Sequence, residues 1–394
     1  MLSDLRRALR PPRIVPCDRP AVLMVSKPVA PPWNDSSKNL VRDLALAGQR
    51  FCYHVLTPEG VTLEGSALRC EPIYGAARGA HTPPLRQNLL VLARLLRRDP
   101  TALTHFFFAP NPRAAVAARI ALRVRPRRTV QTVCSIPRDF SRPDELLFAH
   151  RVVVLSRTTR GRFLDAGVPA ERLVLIPPAI TIPSAPTAEE RREARRRHAL
   201  PLDGQVVLFP GDYQFSTAAE TFARAIPALR DLERVRFVFA CRIKQAASLA
   251  EEARIRTLLH EARVLDRVRM LREVSDMPGL LAATDLVVLP ADSLYAKMDL
   301  PLVLLEAMAR EVPVVVAAEP PLDELLEGEA GAGVPPRDPA ALAATIRSLL
   351  EDHGRRRALG ENARRAVRDR YAIEHVSALH EELYRRLLDE RGAP

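Results

Sequence analysis

Short apolar runs recur along this chain, and the stretches between them carry apolar residues three and four positions apart. Residues 21–26, 51–56, 104–108, 129–133, 151–155 and 173–176 have the length and content of buried strands. Helices fit between them at 39–46, which Gly48 ends, at 113–123 and at 158–166. Another, at 85–96, places Leu85, Leu89, Leu92 and Leu96 on one face. A Pro- and Ala-rich stretch (TIPSAPTA) then runs into EERREARRRH, and the pattern restarts. Its second half has strands at 206–210, 236–241, 268–271, 286–290 and 312–317, with helices near 218–229, 249–261, 277–283 and 301–310. The tail from 339 to 388 is almost all helical. Two successive strand–helix runs predict an α/β chain of two doubly wound, Rossmann-like domains. The expected division is a basic lead at 1–20, a first domain at 21–180, a linker at 181–200, a second domain at 201–372, and a final helix at 373–394 packing back on the first domain. In open sheets of this kind ligands bind beyond the carboxyl ends of the strands. Two such sheets facing each other across a cleft would suit a reaction that excludes water.

A length of 394 residues agrees with two cores. No apolar run reaches the length of a membrane span, and the N-terminus lacks the apolar centre of a signal peptide. A cytoplasmic protein is expected, at most peripheral at the inner face of the cell membrane. Cys17, Cys52, Cys70, Cys134 and Cys241 are scattered and form no metal-like spacing. Reduced thiols are the simplest reading, with Cys134 open as a nucleophile or as a plain core residue.

Charge changes the picture more. Residues 1–180 hold 28 Lys and Arg against 13 Asp and Glu, a net +15, whereas the remainder carries −3. A basic first half suggests an anionic partner: lipid headgroups, a phosphorylated acceptor or nucleic acid. A coding bias towards arginine is the plain alternative. At the N-terminus Leu2, Leu5 and Leu9 beside Arg6, Arg7 and Arg10 could form a small membrane-surface helix, or a frayed end. Nucleic acid is not expected, since aromatic residues are only 5% and no stacking motif accompanies the arginines at 119–128. Only Lys27, Lys38, Lys244 and Lys297 are lysines, against 55 arginines, and all four fall in loops at the presumed cleft. A compact ammonium is what a guanidinium replaces poorly.

The stretch ATDLVVLPADSLYAKMDLPLVLLEAMAREVPVVVAAEPPLDELL, residues 283–326, resembles the donor domain of the retaining, family-4-like GT-B glycosyltransferases (glycosyl transferases group 1). Glu324, Gly331 and Gly333, and RDPAALAATIRSLLED at 337–352 continue the likeness. Residues 150–180, HRVVVLSRTTRGRFLDAGVPAERLVLIPPAI, resemble the end of the family's acceptor domain. The resemblance implies the GT-B architecture and transfer of a sugar from a nucleotide-diphosphate sugar to a saccharide, lipid-linked or small-molecule acceptor, with retention. It implies no bound cofactor and no metal. It places the donor on 200–330, with Glu306 on the ribose hydroxyls and Leu300, Pro301 and Leu302 at a helix start suited to a diphosphate. Gly211 and Asp212 would line the first donor-domain loop. Glu306 as a partly buried helix glutamate held by an N-terminal or arginine partner is the structural alternative.

Several family positions differ. Met298 stands where a first glutamate is usual, between Lys297 and Asp299. Residues 210–216 contain neither of the two cations that hold the leaving group, Cys134 replaces a histidine, and PPWNDSS at 31–37 replaces a glycine-rich loop. Arg242 and Lys244, after the adjacent strand, and Lys297 are the candidate replacement cations, with Asp299 as the carboxylate near the sugar. Asn34, Asp35, Ser36 and Lys38 are cleft candidates, through a capped helix N-terminus that faces donor or acceptor. A scaffold of this fold that has lost catalysis and only binds a nucleotide or sugar is the other reading.

Overall fold

The computed structural model describes residues 18–75, 84–97, 101–243 and 245–390. The lead helix proposed at Leu2–Arg10 and the candidate cation Lys244 lie outside them. The chain forms two units: Met1–Thr181 with Ala296–Asp299 and Ala372–Pro394, and Ile182–Tyr295 with Leu300–Tyr371.

In the first unit the elements run β1 (Ala21–Ser26), α1 (Ser36–Ala47), β2 (Cys52–Thr57), β3 (Leu68–Pro72), α2 (Leu85–Leu96), β4 (Leu103–Phe108), α3 (Pro112–Val124), β5 (Arg128–Val133), α4 (Pro143–Leu146), β6 (Arg151–Val154), α5 (Arg157–Asp165) and β7 (Leu173–Leu175). All strands are parallel, in the order β3-β2-β1-β4-β5-β6-β7. Strands covered on both faces read as continuous apolar runs, which is why Val22 to Val25 and Val152 to Leu155 are all buried. The strand order reverses between β1 and β4, and the loop after β1 therefore opens at the sheet's topological switch point.

Helix α2 turns differently from its leucine stripe. Leu85 is 76% and Leu89 47% exposed, while Leu90, Ala93, Arg94 and Leu95 are buried. The cause is Arg94, whose guanidinium forks onto Glu71 of β3, with Nη2 2.9 Å from Oε1. His54 Nδ1 shares the same carboxylate oxygen at 2.7 Å. Burying an arginine requires its partner, and that ion pair sets the helix rotation.

The second unit runs α6 (Ala188–Arg197), β8 (Gln205–Asp212), α7 (Ala218–Ala225), β9 (Val235–Arg242), α8 (Ala246–Glu261), β10 (Val268–Leu271), α9 (Met277–Ala282), β11 (Leu286–Leu289), α10 (Leu302–Met308), β12 (Val314–Ala317), β13 (Ala332–Val334), α11 (Pro339–Glu351) and α12 (His353–Tyr371). Its six parallel strands are ordered β10-β9-β8-β11-β12-β13. Half of the expected linker is a helix. Thr187 and Glu190 form a reciprocal capping box at the start of α6. Arg191 and Arg195 then grip Asp285 at 2.6 and 2.7 Å and fasten α6 to this unit.

The last helix, α13 (Ile373–Asp389), belongs to the first unit and packs on α1. Its first amide, Ile373 N, donates to Ile180 O at 2.9 Å. Inside the contact, His105 Nδ1 lies 2.7 Å from Tyr384 Oη and its Nε2 2.7 Å from Thr132 Oγ1. His380 is buried beside them, and neither of its ring nitrogens has a partner among the described residues. Burial pushes its pKa down from 6.5 to about 3. Burial, and then His380, also drive His105 well below the ordinary value.

A histidine kept neutral in the fold takes up its proton first in the unfolded chain. Its contribution is therefore complete above pH 6.5 and is lost as pH falls from 6.5 towards 3. A fall from pH 6.5 to 5 should remove about 3 kcal/mol from the first unit, about half from each histidine. Melting curves across that range will show the decline, and His380→Leu should roughly halve it. An equal slope in the variant would place the effect elsewhere.

Among the described residues, no helix is long and apolar enough to cross a membrane, and no group of three His, Cys, Asp or Glu could hold a metal ion. Cys70, Cys134 and Cys241 are free thiols. Cys52 is disulfide-bonded, which corrects the expectation of reduced thiols throughout.

Candidate active site

In the first unit the loop after β1 is built around Asp35. Its Oδ1 accepts from Ser37 N at 3.0 Å and Lys38 N at 3.4 Å, which caps α1, and its Oδ2 binds Lys27 Nζ at 2.9 Å. Burial alone would raise this carboxyl, but the Lys27 ammonium and the bonds from Ser37 and Lys38 outweigh it and hold it well below the usual range. Lys38 Nζ donates to Ala30 O at 2.9 Å and Pro32 O at 2.7 Å and so latches the loop. Asn34 N donates to Pro32 O at 2.9 Å, and Ser36 is the first residue of α1. Trp33 lies under the Arg42 guanidinium, 4.5 Å from ring centre to charge.

Cys134, directly after β5, is buried and in the electrostatic reach of this loop. Burial, then Asp35 and Asp299, push its thiol far up, and Lys27 only partly offsets them. A thiol held protonated is a poor nucleophile, so the plain core reading is the better one.

The segment at 296–299 joins this unit through its backbone. Ile136 N donates to Lys297 O at 3.0 Å, and Ala296 N to Ile136 O at 3.3 Å. Met298 is buried. Asp299 is fully buried and accepts from Ser156 Oγ, the cap of α5, while its Oδ1 has no partner among the described residues. Burial raises its pKa, and bonds from Ser156 and Thr159 only partly counter this. Asp299 thus reads as an anchor that holds 296–299 onto α5. It belongs to the first unit, although the expected bounds put it in the donor domain at 201–372.

In the second unit the carboxyl edge is richer than the sequence suggested. The β8–β9 register sets Asp212 beside Arg242 and Gly211 beside Cys241. Asp212 is buried and accepts from Gln214 N at 3.1 Å. Gly211 is required by packing: a Cβ there would lie 2.6 Å from the ring of Phe209. Asp292, after β11, ties three loops together. Its Oδ1 accepts from Ser216 Oγ at 2.9 Å and Thr217 N at 2.8 Å, and its Oδ2 binds Arg337 Nε at 2.7 Å. Burial would raise the Asp292 carboxyl, but the Thr217 N–H and Arg337 prevail and hold it low. The start of α7 is therefore already occupied by a carboxylate. Arg337 follows β13 with its side chain 70% exposed and its backbone at φ +59°, in the left-handed region. Phe215, at φ +65°, meets Tyr295 edge to face at 5.4 Å on the same loops.

Helix α10 begins at Leu302 with Pro301 as its cap, one residue later than expected, and no side chain caps it. Leu300 and Leu302 bury their side chains, so only their backbone could meet a ligand. Glu306 is half-buried one turn before Arg310, and its carboxylate acts on that guanidinium. Of the three candidate cations, Arg242 lies in the second unit and Lys297 in the first, and Lys244 is outside the described residues. Asp292 and Arg337 were missed. Their one sequence signal is that each follows the end of a strand.

Residues 190–366 match the family model for glycosyl transferases group 1. The fold is that of solved glycosyltransferases. The Anabaena HepE protein in complex with UDP and glucose superposes over 93% of this chain and 99% of its own, with a TM-score of 0.71 and 17% identity. WaaG, a glycosyltransferase involved in lipopolysaccharide biosynthesis, covers 92% and 99%, with a TM-score of 0.65 and 16% identity. This chain has the GT-B fold, and its likeness to glycosyl transferases group 1 extends over residues 190–366. Among curated relatives of this GT-B chain, the D-inositol 3-phosphate glycosyltransferase of Salinispora tropica is 32% identical over 56% of the chain and 48% of its own length. The protein of the same name from Kineococcus radiotolerans is 30% identical over 62% and 59%. The matched segments thus span about half the length of these relatives.

Proposed function

We propose that this GT-B chain is a glycosyltransferase that moves a sugar, with retention, from a nucleotide-diphosphate sugar bound on its second unit. The observation that carries the reading is the group 1 match over 190–366, which spans the carboxyl-edge loops of that unit. Relatives of the fold have been solved with UDP and with UDP-glucose, so a uridine diphosphate sugar is the first donor to try. The nucleotide ribose rests on Glu306. The diphosphate is met by Arg242 with its neighbour Lys244, and by Arg337. The acceptor belongs to the first unit, whose positive charge and Asp35-capped loop favour an anionic one. The name of the Salinispora relative, an inositol 3-phosphate enzyme, supports a phosphorylated polyol as the first acceptor.

Isothermal titration with UDP, GDP and ADP and their glucose conjugates, followed by a donor-hydrolysis assay, tests this. Binding of one nucleotide series with release of its sugar is expected. Binding without turnover for every acceptor would leave a sugar-nucleotide-binding scaffold. Glu306→Ala should weaken nucleotide binding by about 10- to 150-fold, the loss of roughly 1.5–3 kcal/mol in charged hydrogen bonds. The melting temperature should hardly move. Unchanged affinity with a collapsed melting temperature would make Glu306 a structural partner of Arg310.

A further inference from the structure

Helix α3 of the first unit is packed inside out. The residues it buries are small: Ala115, Ala118 and Ala121. The residues it shows to solvent are its large aliphatics, Val116, Ile120 and Val124, between 51% and 58% exposed. They fall at i, i+4 and i+8 and make one continuous stripe. Arg113 and Arg123 are exposed seven residues from Ile120 and Val116 and so lie on the same face. Arg119 is turned aside and spent on the carbonyls of Asp144 and Leu147. The helix contains no acidic residue. Helix α2, packed against it, opens with two more exposed leucines, Leu85 and Leu89.

Charge names what covers this face. Between Glu71 and Asp139 the sequence holds twelve arginines and one acidic residue, Asp99. A protein partner could meet an apolar stripe of either charge, but a stripe whose own helix bears arginines and no acid, with Asp144 and Glu145 of α4 on its Arg119 side, fits an anionic, apolar interface. We infer that the outer face of α3 docks on an anionic lipid surface, with Val116, Ile120 and Val124 entering the acyl boundary and Arg113 and Arg123 at the headgroups. A helix with an apolar stripe and a basic border lies in the plane of such an interface. The inference stands on α3 itself and does not depend on the sugar-transfer reading. If the latter holds, a lipid-linked acceptor becomes the natural one.

The test is cosedimentation of the full chain with phosphatidylcholine vesicles and with vesicles containing about 30% phosphatidylglycerol, at low and at 0.5 M salt, where screening length falls to only about 4 Å. Binding is expected only to the anionic vesicles and should be released by salt. The triple variant V116S/I120S/V124S should bind at least tenfold more weakly, with donor binding and melting temperature unchanged. R113Q/R123Q, which leaves the apolar stripe whole, should lose about fivefold per arginine, and it decides the matter if the serine variant is unstable. Leu249→Ser, an exposed site on α8, is the control and should bind as the parent does. Equal binding to neutral vesicles, or parental binding by either variant, overturns the inference. So does a dimer in sedimentation equilibrium that the serine variant dissociates, which would make this face an interface between two copies.

Discussion

Glu381→Ala is expected to cost the first unit about 3–5 kcal/mol and to lower its melting temperature by about 6–20 °C. One carboxylate oxygen, Oε1 of Glu381, accepts from Gln49 N at 2.7 Å, Arg50 N at 2.8 Å and Tyr53 Oη at 2.8 Å. Gln49 and Arg50 belong to the turn between α1 and β2 and Tyr53 to β2 itself, and the acceptor sits on α13. Removing it strands a buried phenol and two part-buried amides, and a buried orphan costs about 1–3 kcal/mol. Tyr53 cannot swing out, since its ring lies against Gly48 so closely that a Cβ there would be 2.2 Å away. Burial and its anionic neighbour already push the Tyr53 hydroxyl far up, so it stays a donor at every accessible pH. Glu381→Gln keeps one acceptor oxygen and should recover a good part of the loss. Calorimetry should show the first unit's transition move and the second unit's hold still. A shift under 1 kcal/mol would mean that water replaces the carboxylate.

Arg337→Gly should leave the second unit as stable as before and cut turnover about 100-fold, the loss of roughly 3 kcal/mol of aimed charge. Glycine is the informative replacement. At φ +59° a side chain strains the backbone, and glycine relieves that strain while it removes the cation. The Arg337 end of the pair is solvated, and the buried Asp292 keeps its donors Ser216 and Thr217 when the arginine goes, so the loss costs little stability. Arg242→Ala should reduce turnover by a similar factor, with Asp212 left as its buried register partner. Steady-state kinetics on both variants, beside Lys297→Ala, will show which cations hold the leaving group. Near-parental turnover in Arg337→Gly and Arg242→Ala together would remove both from the diphosphate.

The two-sheet architecture was legible because parallel strands buried on both faces leave apolar runs that need no partner to be recognised. Strand β3 was not: LRCEP has no β-branched residue, and its edge position leaves most of it half-buried. The rotation of α2 was hidden for a related reason. The leucine stripe records what could be buried, whereas Arg94 went inside because Glu71 was there to receive it. The stretch EERREARRRH reads as solvated charge until Asp285, some ninety positions on, claims two of its arginines. The site divided in the same way. Glu306 and the loop after β1 lie in contiguous motifs and could be pointed to. Asp292 with Arg337 is made by the register of three separate strands, and the anchoring of Asp299 by the Ser156 cap of α5, 143 positions earlier, so neither pairing leaves a local pattern.

That α13 completes the first unit has a consequence for how the molecule is made. During synthesis, everything from Ile182 to Tyr371 emerges before Glu381 can reach the turn at Gln49 and Arg50. The second unit can close while the first still waits with its α1–β2 turn unsatisfied, so the half that is translated earlier should finish folding later. The high sequence separation of this closing contact makes it slow to form. A ribosome paused short of residue 372 would therefore hold one finished domain and one exposed sheet, the state in which a chaperone has most to do.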